Sequence, residues 1–196
     1  MSAIPYTVER RPDTGVNNVQ LGVWLFLASE VMLFGGLFSA YFTLRAGAAA
    51  AWMPFRAHLD PAIVSTALLF GGTAAFAAAV RMARAGRLAA FRAWMAAATV
   101  LAFLFLPYKY LQYVDAWDSG YHASTSTQWG MYFLLTGVHA LHVAGGVLVN
   151  LRLLGTSAAR WTGETPAVVN RVTASALYWY FVDAIWVILF LLLYVV

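Results

Sequence analysis

Four ionisable residues lie deep inside long apolar stretches of this sequence. His139 and His142 are one helical turn apart in one stretch, and Glu30 and Asp183 lie near the middle of two others. An ionisable side chain at the centre of a bilayer is costly, and it marks a functional group or a contact with another helix. These four residues are therefore the candidate site.

A carboxyl group and an imidazole on different helices can satisfy each other by a hydrogen bond. We expect at least one carboxyl, that of Glu30 or Asp183, to bond to His139 or His142. Such a cluster serves either to lock the helices together or to handle protons. Haem or metal ligation is the remaining alternative, but a bis-histidine haem usually takes its ligands from two helices, and the other two histidines fall in predicted loops.

The composition is that of an integral membrane protein. Of the 196 residues, 62% are apolar and only 10% are charged, whereas a soluble domain carries roughly 25% charged residues. The chain has no cysteine, which excludes disulfides, Cys-ligated zinc, iron–sulfur clusters and covalent haem attachment. Its basic residues lie in short segments between apolar stretches. This placement indicates the orientation of the chain in the membrane and does not favour a nucleic-acid partner.

Five apolar stretches each approach the roughly 20 residues that a helix needs to cross a bilayer. They cover residues 19–44, 61–82, 91–113, 128–151 and 172–196. The predicted fold is all-α, an integral membrane bundle of five transmembrane helices that forms one domain, 19–196, after an N-terminal cytoplasmic segment, 1–18. Asp60 is the predicted N-cap of the second helix, with Pro61 as its first residue.

The basic residues predict the orientation of the bundle. With five spans, the N-terminal segment and the second and fourth loops share one side, which carries Arg10, Arg11, Arg81, Arg84, Arg87, Arg92, Arg152, Arg160 and Arg171. The other side carries only Arg45, Arg56 and Lys109. Because basic loops stay in the cytoplasm, we expect the N-terminus inside and the C-terminus outside, on the periplasmic face of a bacterial inner membrane.

The fourth span has a polar face at helical spacing. Glycines on or beside this face permit close approach of another backbone. The polar residues are Gln128, Tyr132, Thr136, His139, His142 and Asn150, and the glycines are Gly145 and Gly146.

Three motifs, in this order, carry a family resemblance. The first is WLFLASEVMLF at 24–34, which contains Glu30; the second is TGVHALHV at 136–143; the third is YWYFVD at 178–183. A weaker fourth segment is PAIVSTALL at 61–69. On these motifs the chain resembles subunit III of the haem-copper oxidases in its short five-helix bacterial form. Tyr180 stands where that family has a histidine.

The resemblance implies an accessory, non-catalytic subunit of a cytochrome c oxidase, a proton-translocating oxidoreductase complex. Haem and copper would reside in partner subunits I and II, and this chain would hold no cofactor besides bound phospholipid. It would pack mainly on subunit I and support proton uptake and sustained turnover during dioxygen reduction. Glu30, His139, His142 and Asp183 would form a buried polar cluster near the lipid cleft.

Other functions remain open at this point. The related subunit-III-like protein associated with nitric oxide reductase has the same architecture, and Lys109 before Gln112 and Tyr113 looks somewhat like that branch. A different class is an independent proton channel or transporter built on the Glu–His–Asp set. Against it, the sequence has neither an inverted repeat nor paired broken helices.

Overall fold

The computed structural model describes residues 6, 8–48, 52, 54–55, 58–160 and 165–196, without the side chains of 157–160 and 165. All regular secondary structure within these residues is helical. Two of the basic residues used to predict the orientation, Arg56 and the side chain of Arg160, lie outside the described part.

Five helices are long and apolar enough to cross a membrane, which confirms the predicted all-α bundle of five membrane-spanning helices. The first four helices extend past their predicted spans at both ends, and the fifth begins before its predicted start, because hydropathy locates only the part of a helix in the hydrocarbon region. The helices are α1 (Asn18–Gly47), α2 (Leu59–Arg84), α3 (Leu88–Asp118), α4 (Thr127–Arg160) and α5 (Thr165–Phe190), and α5 continues into a π-helical turn (Leu191–Val195).

The helix packing is centred on α2 and α5. The α2–α3 hairpin is the most extensive helix pair, while α5 packs against α1, α2 and α4. Half of the most apolar stretch of α2 is buried inside the protein, as its Ala- and Gly-rich sequence predicts. In contrast, only 11% of the most apolar stretch of α1 is buried. α1 is therefore an edge helix with a long apolar face open to lipid or to another protein.

The predicted start of α2 is wrong by two residues. His58 is the N-cap and makes no side-chain capping bond, Leu59 is the first helical residue, and Asp60 lies in the first turn. Pro61 is thus the third residue of the helix. A proline is tolerated there because the first N–H groups of a helix have no intrahelical partner, and Asp60 still lies where the helix dipole favours a negative charge.

The π-helical turn is held by Tyr41 of α1 and by the connection between α1 and α2. The hydroxyl of Tyr41 donates to the carbonyl of Leu192 at 2.7 Å and accepts a bond from Trp52 Nε1 at 3.2 Å. The backbone N–H of Phe55 donates to the carbonyl of Leu193 at 2.9 Å. These bonds give the carbonyl groups at the end of α5 partners outside their own helix.

Candidate functional site

The structure joins one of the candidate carboxyls to one of the candidate imidazoles. Glu30 Oε2 on α1 lies 2.8 Å from His142 Nε2 on α4. The other ring nitrogen, Nδ1, lies 2.7 Å from the carbonyl of Val138. A carbonyl only accepts, so Nδ1 carries a hydrogen, and Nε2 either accepts from a protonated Glu30 or donates to its carboxylate. The two side chains are only 13% and 15% exposed.

His139, one turn earlier on α4, makes no such bond. Its side chain is fully buried, and neither ring nitrogen has a hydrogen-bond partner among the described atoms. The imidazole instead contacts aromatic rings, with its centroid 5.8 Å from that of Phe105 and 5.2 Å from that of Trp186. Its surroundings are those of an apolar core residue.

Asp183 on α5 is also buried and is joined to neither imidazole by a hydrogen bond. Its neighbour is Thr73 on α2, yet Oδ1 of Asp183 and the hydroxyl of Thr73 both have no partner among the described atoms. The structure therefore brings Glu30 and His142 together and leaves His139 and Asp183 as two further buried polar groups.

A second buried polar group, centred on Lys109, was not found from the sequence. Lys109, counted earlier among the loop charges of the outer side, lies inside α3 with 1% of its surface exposed. Its Nζ donates to Tyr132 OH at 2.9 Å, Gln112 Oε1 at 3.1 Å and Tyr194 OH at 3.2 Å. The same ammonium lies 4.7 Å from the ring centroid of Tyr132, within cation–π range.

The Lys109 group ties four helices together. Gln112 Nε2 on α3 donates to Ser65 Oγ on α2 at 2.9 Å, while Tyr132 comes from α4 and Tyr194 from the π-helical turn. No carboxylate pairs with Lys109 among the described residues. One sequence signal was available, since Lys109 shares a helix face with Gln112 three residues later.

The polar face predicted for α4 provides partners for neighbouring helices. Thr136 Oγ1 lies 2.7 Å from the hydroxyl of Tyr113 on α3, and Asn150 Oδ1 accepts a bond of 3.0 Å from Trp179 Nε1 on α5. The glycines are approached closely, but not by another backbone as predicted. A Cβ at Gly146 would lie 2.7 Å from a ring carbon of Trp179. The close neighbours are thus aromatic side chains, not a second backbone.

An apolar cleft of about 430 Å³ lies between α1, α4 and α5. Its lining includes Phe26, Gly145 and Tyr178, and Arg171 is its only charged residue among those described. The hydroxyl of Tyr178 donates to the carbonyl of His142 at 2.7 Å. The cleft therefore extends to the neighbourhood of the Glu30–His142 pair.

Known proteins are similar to this chain over nearly all its length. The family model described as "Cytochrome c oxidase subunit III" matches residues 11–196. A Mycobacterium leprae (strain TN) protein named "Probable cytochrome c oxidase subunit 3" is 31% identical over 180 residues, covering 91% of this chain and 88% of the relative.

Two further relatives are similar to the same extent. "Cytochrome c oxidase subunit 3" of Corynebacterium diphtheriae (strain ATCC 700971 / NCTC 13129 / Biotype gravis) is 32% identical over 183 residues, covering 91% of this chain and 88% of the relative. "Quinol oxidase subunit 3" of Bacillus subtilis (strain 168) is 31% identical over 186 residues, covering 93% and 89%. The names of the relatives thus include both cytochrome c and quinol oxidases.

Proposed function

Because the chain belongs to the cytochrome c oxidase subunit III family, we propose that it is the accessory third subunit of a haem-copper terminal oxidase. The complex is an oxidoreductase that reduces dioxygen with electrons from cytochrome c or quinol. The observation that carries the proposal is the Glu30–His142 bond between α1 and α4, because these residues lie in two of the motifs on which the family resemblance depends.

We assign the redox chemistry to the partner subunits. Among the described residues, no three His, Cys, Asp or Glu side chains are grouped as metal ligands. His139 is packed against aromatic rings, and His142 is engaged through both ring nitrogens. These side chains do not fit a haem or copper site, so we place haem and copper in subunits I and II.

We propose that the chain stabilises subunit I, its main contact, and also contacts subunit II. The open apolar face of α1 supports this role, because the other helices of the chain bury only 11% of the most apolar stretch of α1. The hydrogen bond between Glu30 and His142 first holds α1 against α4. The support of proton uptake and sustained turnover is the second role that we assign to the buried polar residues Glu30, His139, His142 and Asp183.

We further propose that the apolar cleft holds a phospholipid. Its lining is almost entirely apolar, which suits an acyl chain, and Arg171 is the cation that would attract the phosphate. The far end of the cleft adjoins the carbonyl of His142 through Tyr178. A lipid there would cover the Glu30–His142 pair from one side.

The orientation proposed for the chain is N-terminus in the cytoplasm and C-terminus outside, in a bacterial inner membrane, with segment 1–18 on the cytoplasmic side. The burial of Lys109 inside α3 strengthens the basis for this orientation. Of the three basic residues that the sequence count assigns to the outer side, this leaves Arg45 and Arg56, so the asymmetry between the two sides is larger than that count suggests.

Affinity purification of the tagged chain from its native membrane tests the proposal. We expect subunits I and II, with haem and copper, to co-purify and to consume oxygen rather than nitric oxide. Complex made without the chain should keep its initial spectrum and rate but lose activity during turnover. Stoichiometric haem or copper on the separated chain would contradict the accessory role, and so would purification without any haem protein.

A further inference from the structure

A polar groove of about 650 Å³ opens at the end of the bundle where α2 stops and α1 and α5 begin. Arg10 from the N-terminal segment and Arg84 from the last turn of α2 both line it. Among the described residues, no aspartate or glutamate lines the groove, and neither guanidinium has a carboxylate partner. The groove therefore concentrates positive charge without a counter-ion from these residues.

The neighbouring Arg11 differs from these two arginines. Its Nη2 lies 2.8 Å from Asp13 Oδ2, and this hydrogen bond lowers the pKa of Asp13 to about 2. The charge of Arg11 is thus balanced at neutral pH, whereas no described carboxylate pairs with Arg10 or Arg84.

Two hydrogen bonds hold the part of the groove wall formed by α1, α2 and α5. Arg84 Nη2 donates to Thr173 Oγ1 across the α2–α5 boundary at 3.4 Å. Asn17 Nδ2 donates to Asn170 Oδ1 at 2.6 Å, which ties the start of α1 to the start of α5. Because these side chains already have defined positions, ordering them on binding costs a ligand less free energy.

The chemistry of the lining selects a phosphate group. A guanidinium carries five N–H donors in a planar fork that matches phosphate oxygens, and the bond to Thr173 uses only one donor of Arg84. The ends of membrane-spanning helices lie at the depth of lipid headgroups. We propose that this groove binds a phosphate group between Arg10 and Arg84.

This site is distinct from the apolar cleft and does not depend on the proposed oxidase function. The two have no lining residue in common. The phosphate can come from an anionic phospholipid of the adjoining leaflet or from a soluble phosphate compound, and the depth of the groove favours the lipid.

Equilibrium binding of spin-labelled phosphatidylglycerol to the full chain in detergent tests the proposal, with phosphatidylcholine as the zwitterionic comparison. We expect Arg84→Gln to weaken phosphatidylglycerol binding about tenfold or more, as expected for loss of charged hydrogen bonds. Arg81→Gln is the matched control, since Arg81 lies in the same last turn of α2 but does not line the groove. It should change the affinity less than about twofold.

Inorganic phosphate and a nucleoside triphosphate form the second arm. If the Arg84→Gln variant binds these soluble probes as much more weakly as it binds phosphatidylglycerol, a soluble phosphate is identified as the ligand. If the soluble probes do not displace phosphatidylglycerol from the unsubstituted chain, the lipid is identified as the ligand. Equal affinities of the Arg84→Gln and Arg81→Gln variants, or no binding of any probe, would overturn the proposal. Arg10→Gln repeats the test outside every helix, in case Arg84→Gln does not fold.

Discussion

Replacing His142 with leucine is expected to destabilise the bundle, because it leaves the Glu30 carboxyl without its hydrogen-bond partner. The two side chains meet at 2.8 Å and are 13% and 15% exposed, so water replaces the lost bond poorly. An unsatisfied buried polar group costs about 1–3 kcal/mol. The residual exposure places the expected loss at about 1–2 kcal/mol, roughly a five- to thirtyfold change in the unfolding equilibrium.

Titration of the purified chain with SDS in mixed micelles measures this loss. The comparison includes Glu30→Leu, His142→Leu and the double variant, because a double-mutant cycle isolates the energy of the pair. We expect a coupling of about 1–2 kcal/mol, so that the double variant is less destabilised than the sum of the single variants.

His139→Leu is the control for the same helix. Both ring nitrogens of His139 lack a partner among the described atoms, and the ring contacts Phe105 and Trp186. Removing an unpaired polar ring from this apolar site should leave stability unchanged or raise it. A coupling near zero, or a loss for His139→Leu as large as that for His142→Leu, would refute the reasoning.

Three further predictions concern other parts of the bundle. Lys109→Met should lower the thermal midpoint of the chain in detergent, because it leaves the buried Gln112 Oε1 without its donor and removes the bonds to Tyr132 and Tyr194; an unchanged or higher midpoint would show that the cost of burying the cation outweighs these bonds. Gly146→Ala should cost about 1–3 kcal/mol in SDS titration, since its Cβ would lie 2.7 Å from Trp179, whereas Gly145→Ala, with its nearest neighbour at 3.9 Å, should be nearly neutral. Reporter fusions at Arg84 and at the C-terminus should report opposite sides of the membrane, and a same-side result would rule out the five-span topology.

The five helices could be predicted because hydropathy and length alone decide which stretches cross a bilayer. The type of bond at the site was also predictable, since a buried carboxyl needs a partner and imidazoles were the available groups. The choice between His139 and His142 was not, because it depends on how far α4 is rotated relative to α1. Lys109 was missed for a related reason. A charge near the end of an apolar stretch looks like a loop charge until tyrosines from other helices are seen to surround it.

The π-helical turn at Leu191–Val195 makes this end of the chain sensitive to insertions and deletions. A π-helical turn accommodates one more residue than a regular α-helical turn, and each helical residue advances the helix by about 100°. Deleting one residue from this turn would restore regular α-helix and rotate Tyr194 away from Lys109. The carbonyl of Leu193 would leave the N–H of Phe55 in the same movement. Conservative substitutions in this turn therefore do less damage than a change in its length by a single residue.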